Sequence, residues 1–170
     1  MVNVPNAGVP ITGALAMARD WYKFFTDLVR ETPLASEGEF TPTLAFETAG
    51  TSSWSYAVQE GSYVKHGHLV WTAIRVTATP TIGTGSGDIR IGGLPFTPDT
   101  RSVLTGMANG AAFTWPASRT ATIALATPSA DYLILRGIGS AVAVSTFAAS
   151  NMTSGSSHSI EIAGTYRTAS

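Results

Sequence analysis

From residue 68 to residue 96 the chain alternates apolar and polar side chains in two runs, His68–Thr79 and Gly87–Phe96. Alternate residues of a strand face opposite sides. Val70, Ile74 and Val76 therefore share one face with Thr72, and Leu69, Trp71 and Ala73 share the other with Arg75 and Thr77. Neither face is purely polar, which suits a strand covered on one side and partly covered on the other. In the second run Ile89 and Ile91 point inward and Asp88 and Arg90 outward. Pro80 and a glycine-rich loop, 81–87, separate the runs, so the pattern predicts a long antiparallel pair with a wide loop.

The same period continues along the chain. Strands are expected at 40–46, with Pro42 marking an edge or a strand start. Others follow at 54–58, 61–67, 101–107, 111–115, 121–126, 131–138, 141–147 and 157–167, separated by Gly, Pro and Asn turns. In the last of these Ile160, Ile162 and Tyr166 face inward, with Ser159, Glu161, Thr165 and Arg167 outward. About nine or ten short strands with frequent turns predict a mainly β fold, an antiparallel β-sandwich or jelly roll.

The front of the chain is different. Residues 2–12 hold Pro5, Gly8 and Pro10 and show no period, as in an extended arm. Thr12 can cap a helix over 13–31, and Pro33 stops it. At 100° per residue, Leu15, Ala18, Trp21, Tyr22, Phe24, Phe25, Leu28 and Val29 fall on one half of the wheel with Ala14 and Met17. Leu15, Ala18, Tyr22, Phe25 and Val29 could form a coiled-coil seam. Trp21, Phe24 and Leu28 lie beside that seam, so the helix is expected to meet a second surface, either its own domain or a foreign one. The domain division read from this is 1–36, arm and anchoring helix, and 37–170, β-sandwich knob.

Composition narrows the partners. Charged residues are 12% of the chain and the net charge is -1, which gives no electrostatic reason to expect nucleic acid. No stretch approaches the ~20 apolar residues of a membrane span, and no signal peptide is seen, so no membrane partner is expected. There is no cysteine, hence no disulfide framework and no thiolate site. A nearly uncharged knob joined to a wide apolar helix gains by burying its sides against copies of itself.

Candidate chemistry is sparse. His66 and His68 are two residues apart and could share a strand face, a weak metal candidate because Gly67 marks a turn between them. His158 reads as a surface residue. The loop 83–88 lacks the Lys-Ser/Thr pair and helix of a phosphate cradle. The carboxylates Asp88, Asp99, Asp131, Glu60 and Glu161 are scattered, and a hydrolase would need two of them to converge. Trp54, Trp71 and Trp115 read first as core residues. Trp115, beside Pro116, is the one best placed for exposure and contact with a sugar ring. No cofactor is expected.

An ordered set of segments carries a resemblance. Glu39–Phe46, Tyr56 with Gln59, Gly61–Gly67, Gly87–Phe96 with its Gly-Leu-Pro-Phe ending, and Ser159–Tyr166 together resemble the β-sandwich domain at the C-terminal ends of tailed-bacteriophage fibre, appendage and head-decoration proteins. The match spans about residues 37–170. It implies a homotrimeric jelly roll on the virion surface, often with a receptor- or glycan-binding role. Trp21–Phe25, following the Pro/Gly arm, is similar to short anchoring segments of such proteins. No long shaft precedes the knob, which favours a compact projection. The expected function is a non-enzymatic capsid decoration or head-fibre protein held to a capsid or tail protein through residues 1–31. A tail-borne adhesin for host surface glycan is the alternative, and a glycan hydrolase comes third.

Overall fold

The computed structural model describes Lys23, Thr26, Asp27, residues 35–109 and residues 113–169. The chain divides into two compact units, Met1–Ala35 and Ser36–Ser170. In the first, Lys23, Thr26 and Asp27 have helical backbone and Ala35 has no regular structure. The arm and the anchoring set Leu15, Ala18, Trp21, Tyr22, Phe24, Phe25, Leu28 and Val29 lie outside the described residues.

The second unit is built from antiparallel strands: β1 (Ser36–Phe40), β2 (Thr43–Thr48), β3 (Ser53–His66), β4 (Leu69–Thr81), β5 (Ser86–Gly92), β6 (Ser102–Asn109), β7 (Ala121–Ala126), β8 (Tyr132–Ile138), β9 (Ser145–Thr146) and β10 (His158–Arg167). They hydrogen-bond as one sheet in the order β1-β3-β4-β10-β6-β7-β8-β5-β2, with β9 on β8. The expected sandwich of separate sheets is thus corrected to one continuous sheet curled into a half-barrel. The inward residues of distant strands meet across the curl, which gives the same two-walled core a sandwich would have.

Several local expectations change for physical reasons. The 40–46 strand is two strands, because Pro42 lacks the N–H to continue a ladder and the chain breaks at Thr41-Pro42. β1 and β2 then lie at opposite ends of the sheet order. The segments 54–58 and 61–67 merge into β3, which accommodates Ala57 as a bulge between Tyr56 and Val58. The run 111–115 forms no strand among its described residues, only a bridge from Phe113 to Met152.

The largest correction concerns the opening pair. β4 pairs with β3 and β10, whereas β5 pairs with β8 and β2. The loop between β4 and β5 is therefore a crossover between the two halves of the sheet. It packs on the 49–52 turn: Thr51 and Thr84 exchange backbone-to-hydroxyl bonds of 3.2 and 3.3 Å. A Cβ on Gly85 would lie 2.7 Å from Phe46 and 2.1 Å from Ser52, so that glycine permits close approach.

The predicted face alternation holds. Val70, Thr72, Ile74 and Val76 are all buried, as are Ile89, Ile91, Ile160, Ile162 and Tyr166. Thr72 is tolerated in the core because its hydroxyl donates to the Ser62 carbonyl at 3.1 Å. Leu44, Phe46, Leu104, Leu133, Leu135 and Phe147 complete the filling.

Tyr166 is almost fully buried, and burial pushes its phenol up to about 12, an effect the Phe96 backbone opposes. Its hydroxyl closes no hydrogen bond of normal geometry. Because the folded value lies above the ordinary 10, the associated stability is present below pH 10 and lost as pH rises toward 12. Two units correspond to about 2–3 kcal/mol. Tyr166→Phe should abolish most of that alkaline loss, read from urea unfolding at pH 9 and pH 11.5, while changing neutral stability by less than ~1 kcal/mol.

Candidate functional site

The outer face of β3, β4, β10 and β6 is the feature that packing within the described domain does not explain. Registers place its residues in cross-strand rows. Glu60, Arg75, Glu161 and Met107 form one row. Ser62, Ala73, Ala163 and Thr105 form the next, with Glu39 beside Ser62 on β1. Val64, Trp71 and Thr165 form the third, flanked by Glu37. Continuing the β10–β6 register two residues beyond Ala163–Thr105 brings Val103 beside Thr165. His66, Leu69 and Arg167 close the set.

Seven large apolar residues are exposed among those described, and five of them lie on this face: Val64, Leu69, Trp71, Val103 and Met107, at 38–60% exposure. Trp71 is therefore corrected from core to surface. It sits one residue out of phase with buried Val70 and Thr72, so the pleat turns it outward. The middle row is made of small side chains, and a groove of about 960 Å³ runs over it between Glu39, Gln59, Glu60, Arg75, Met107 and Glu161.

Of the five scattered carboxylates, this face gathers two. Glu60 and Glu161 flank Arg75 at 3.8 and 3.6 Å, all three side chains being about half exposed or more. Such pairs contribute little to stability, typically below ~1 kcal/mol. Asp88 is elsewhere, in a tighter pair with Arg136 at 2.7 Å, where the two side chains are only 13% and 22% exposed. A second bond of 3.3 Å makes that contact bidentate, and the Thr146 hydroxyl also binds Arg136. Arg90 binds Glu47 at 2.8 Å and covers the Tyr132 ring.

The histidines separate. Gly67, with φ +57°, and His68 form the hairpin turn between β3 and β4. His68 Nδ1 lies 3.2 Å from the Thr168 carbonyl, while His66 projects from the outer face. No group of three His, Cys, Asp or Glu side chains converges among the described residues. His158 is corrected from surface to core: it is wholly buried, on the same face of β10 as Ile160. Its Nε2 donates to the Thr153 carbonyl at 3.1 Å, and its ring meets Phe113 at 4.5 Å.

The other tryptophans divide as well. Trp54 packs on Phe46 at 5.0 Å against the core. Trp115 is 38% exposed and stands edge-on to Phe147 at 5.4 Å.

Known proteins add one finding of fold. No protein-family model matches the chain, and no curated protein sequence does. A solved structure that superposes is the crystal structure of Dettilon tailspike protein (gp208), with a TM-score of 0.59 and 19% identity. The match covers 83% of this chain and 26% of the tailspike chain, so this chain corresponds to about a quarter of that protein. The fold is that of a β-domain found in a phage tailspike.

Proposed function

We propose that this chain is a non-enzymatic structural component of a phage virion, a homotrimer whose β-domain stands on the particle surface. The observation that carries this reading is an apolar sheet face left open on a β-domain whose fold recurs in a tailspike. A lone domain with a net charge of -1 and this face in water is a candidate for association, not for independent life in solution. The tailspike likeness favours the tail over the capsid decoration or head-fibre role that the sequence first suggests. Residues 1–31, with the apolar set Leu15 to Val29, are the part assigned to holding a capsid or tail protein.

A second reading, an adhesin for host surface glycan, draws on the half-exposed Trp115, whose indole face can stack on a sugar ring. Purified β-domain carrying Trp115→Ala would then lose binding to host cells.

Imaging intact particles with this chain labelled tests the main reading. Label at the tail is the expected result. Label over the shell would return the protein to decoration, and particles without the chain would remove it from the virion.

A further inference from the structure

We infer that the outer face of β3, β4, β10 and β6 is the surface through which copies of this chain meet, arranged head to tail around a three-fold axis. The inference rests on the homotrimer reading above and names the residues that would form it.

Size is the first argument. At 38–60% exposure, Val64, Leu69, Trp71, Val103 and Met107 present on the order of 400 Å² of apolar surface, within the range of the largest patch on a monomer, which is often functional. A standard interface takes about 800 Å² from each partner, a little over half of it apolar. The five side chains match the apolar share of that area.

Charge is the second. The patch is flanked unequally. Along β1, Glu37 and Glu39 share the face with Val64 and Ser62 and form an acidic rim. On the opposite flank Arg167 closes β10 beside Leu69, and Arg101 leads into β6. Asp99 lies in the same corner, bonding through its N–H to the Arg167 carbonyl at 3.0 Å, and leaves that corner net positive. An acidic rim on one side and a basic corner on the other cannot satisfy each other within one sheet, because the β3 and β4 strands stand between them. Between copies they can, and the like-signed rims disfavour pairing β1 with β1. Complementary flanks on one chain are what a heterologous, ring-closing contact requires.

The middle row of Ser62, Ala73, Ala163 and Thr105 gives a third element. Small side chains there leave the groove into which a neighbour's Trp71 or Met107 can insert.

The chain has no cysteine, so introduced thiols report without background. Val64→Cys/Val103→Cys should cross-link through a short bismaleimide into a covalent species of three chains. The two positions lie at opposite ends of one row, with β4 and β10 between them, so cross-links between chains are favoured over those within one. Each single variant should give at most minor dimer, and Ala45→Cys on exposed β2 should give none. Trp71→Glu should dissociate the assembly in sedimentation equilibrium while circular dichroism keeps the β spectrum. Glu37→Arg should weaken assembly at least tenfold, and Arg167→Glu in the same chain should restore it. A wild-type trimer that survives Trp71→Glu and gives no Val64–Val103 product overturns the face but leaves the virion reading standing. A wild-type chain that is monomeric at every concentration overturns both.

Discussion

Phe147→Ala is expected to lower the stability of the β-domain by about 3–5 kcal/mol, the range for removing a buried aromatic ring. Most small domains hold only 5–15 kcal/mol in total. The residue is wholly buried although it follows the two-residue strand β9 and belongs to no strand itself. Its ring meets Phe113 at 5.4 Å and Trp115 at 5.4 Å, both edge-on. Its carbonyl accepts the Ile89 N–H at 2.9 Å, tying the 145–152 segment to β5. Truncation would leave a cavity under that segment and release the packing of Trp115. Thermal and urea unfolding measure the loss. Phe147→Leu, which keeps most of the volume, should recover more than half of it. A Phe147→Ala loss below 1 kcal/mol would show that the segment is not anchored by this ring.

The second large effect is expected at Gly93. Its φ is +84°, a left-handed conformation that costs other residues roughly 1–2 kcal/mol. A Cβ there would also lie 2.6 Å from the Thr41 carbonyl oxygen, a backbone atom that cannot swing aside. Thr41 belongs to the link where the chain leaves β1 for β2, so relief of the clash would move that link. Gly93→Ala should therefore cost about 3 kcal/mol, the left-handed penalty plus the distortion. Gly67 is the control. It too has positive φ, +57°, but a Cβ there meets nothing within 4 Å. Gly67→Ala should cost only the conformational part, about 1 kcal/mol. Equal losses at the two positions would mean that the contact with Thr41 does not matter.

These two residues show what the sequence could and could not disclose. Strands β4, β5 and β10 were legible because a single covered face imposes a period of two, and Val70, Ile89 and Ile160 obey it. Phe147 was legible only as the end of a faint apolar run, since burial without regular structure leaves no period. Strand partners were hidden. β4 and β5 are consecutive and both alternate, yet they lie on different halves of the sheet, because pairing depends on contacts far apart in sequence. His158 misled for a related reason: its polarity suggested surface, whereas its Nε2 finds the Thr153 carbonyl inside the core and its Nδ1 is buried without a partner.

The candidate face was half visible. Alternation put Leu69, Trp71 and Ala73 opposite Val70, Ile74 and Val76, and the mixed character of that second side was plain. What could not be read was that β10 and β6 bring Val103 and Met107 onto the same face, which gathers exposed apolar residues from β3, β4 and β6 on one side of the sheet. Glu60 and Glu161 are also far apart in the chain, and only the register through Arg75 joins them.

The most direct measurement is the mass of the purified full-length chain in sedimentation equilibrium across a hundredfold range of concentration. A species three times the 17.7 kDa chain mass, holding together at micromolar protein, is what the open sheet face predicts. A single species of one chain mass throughout would contradict it.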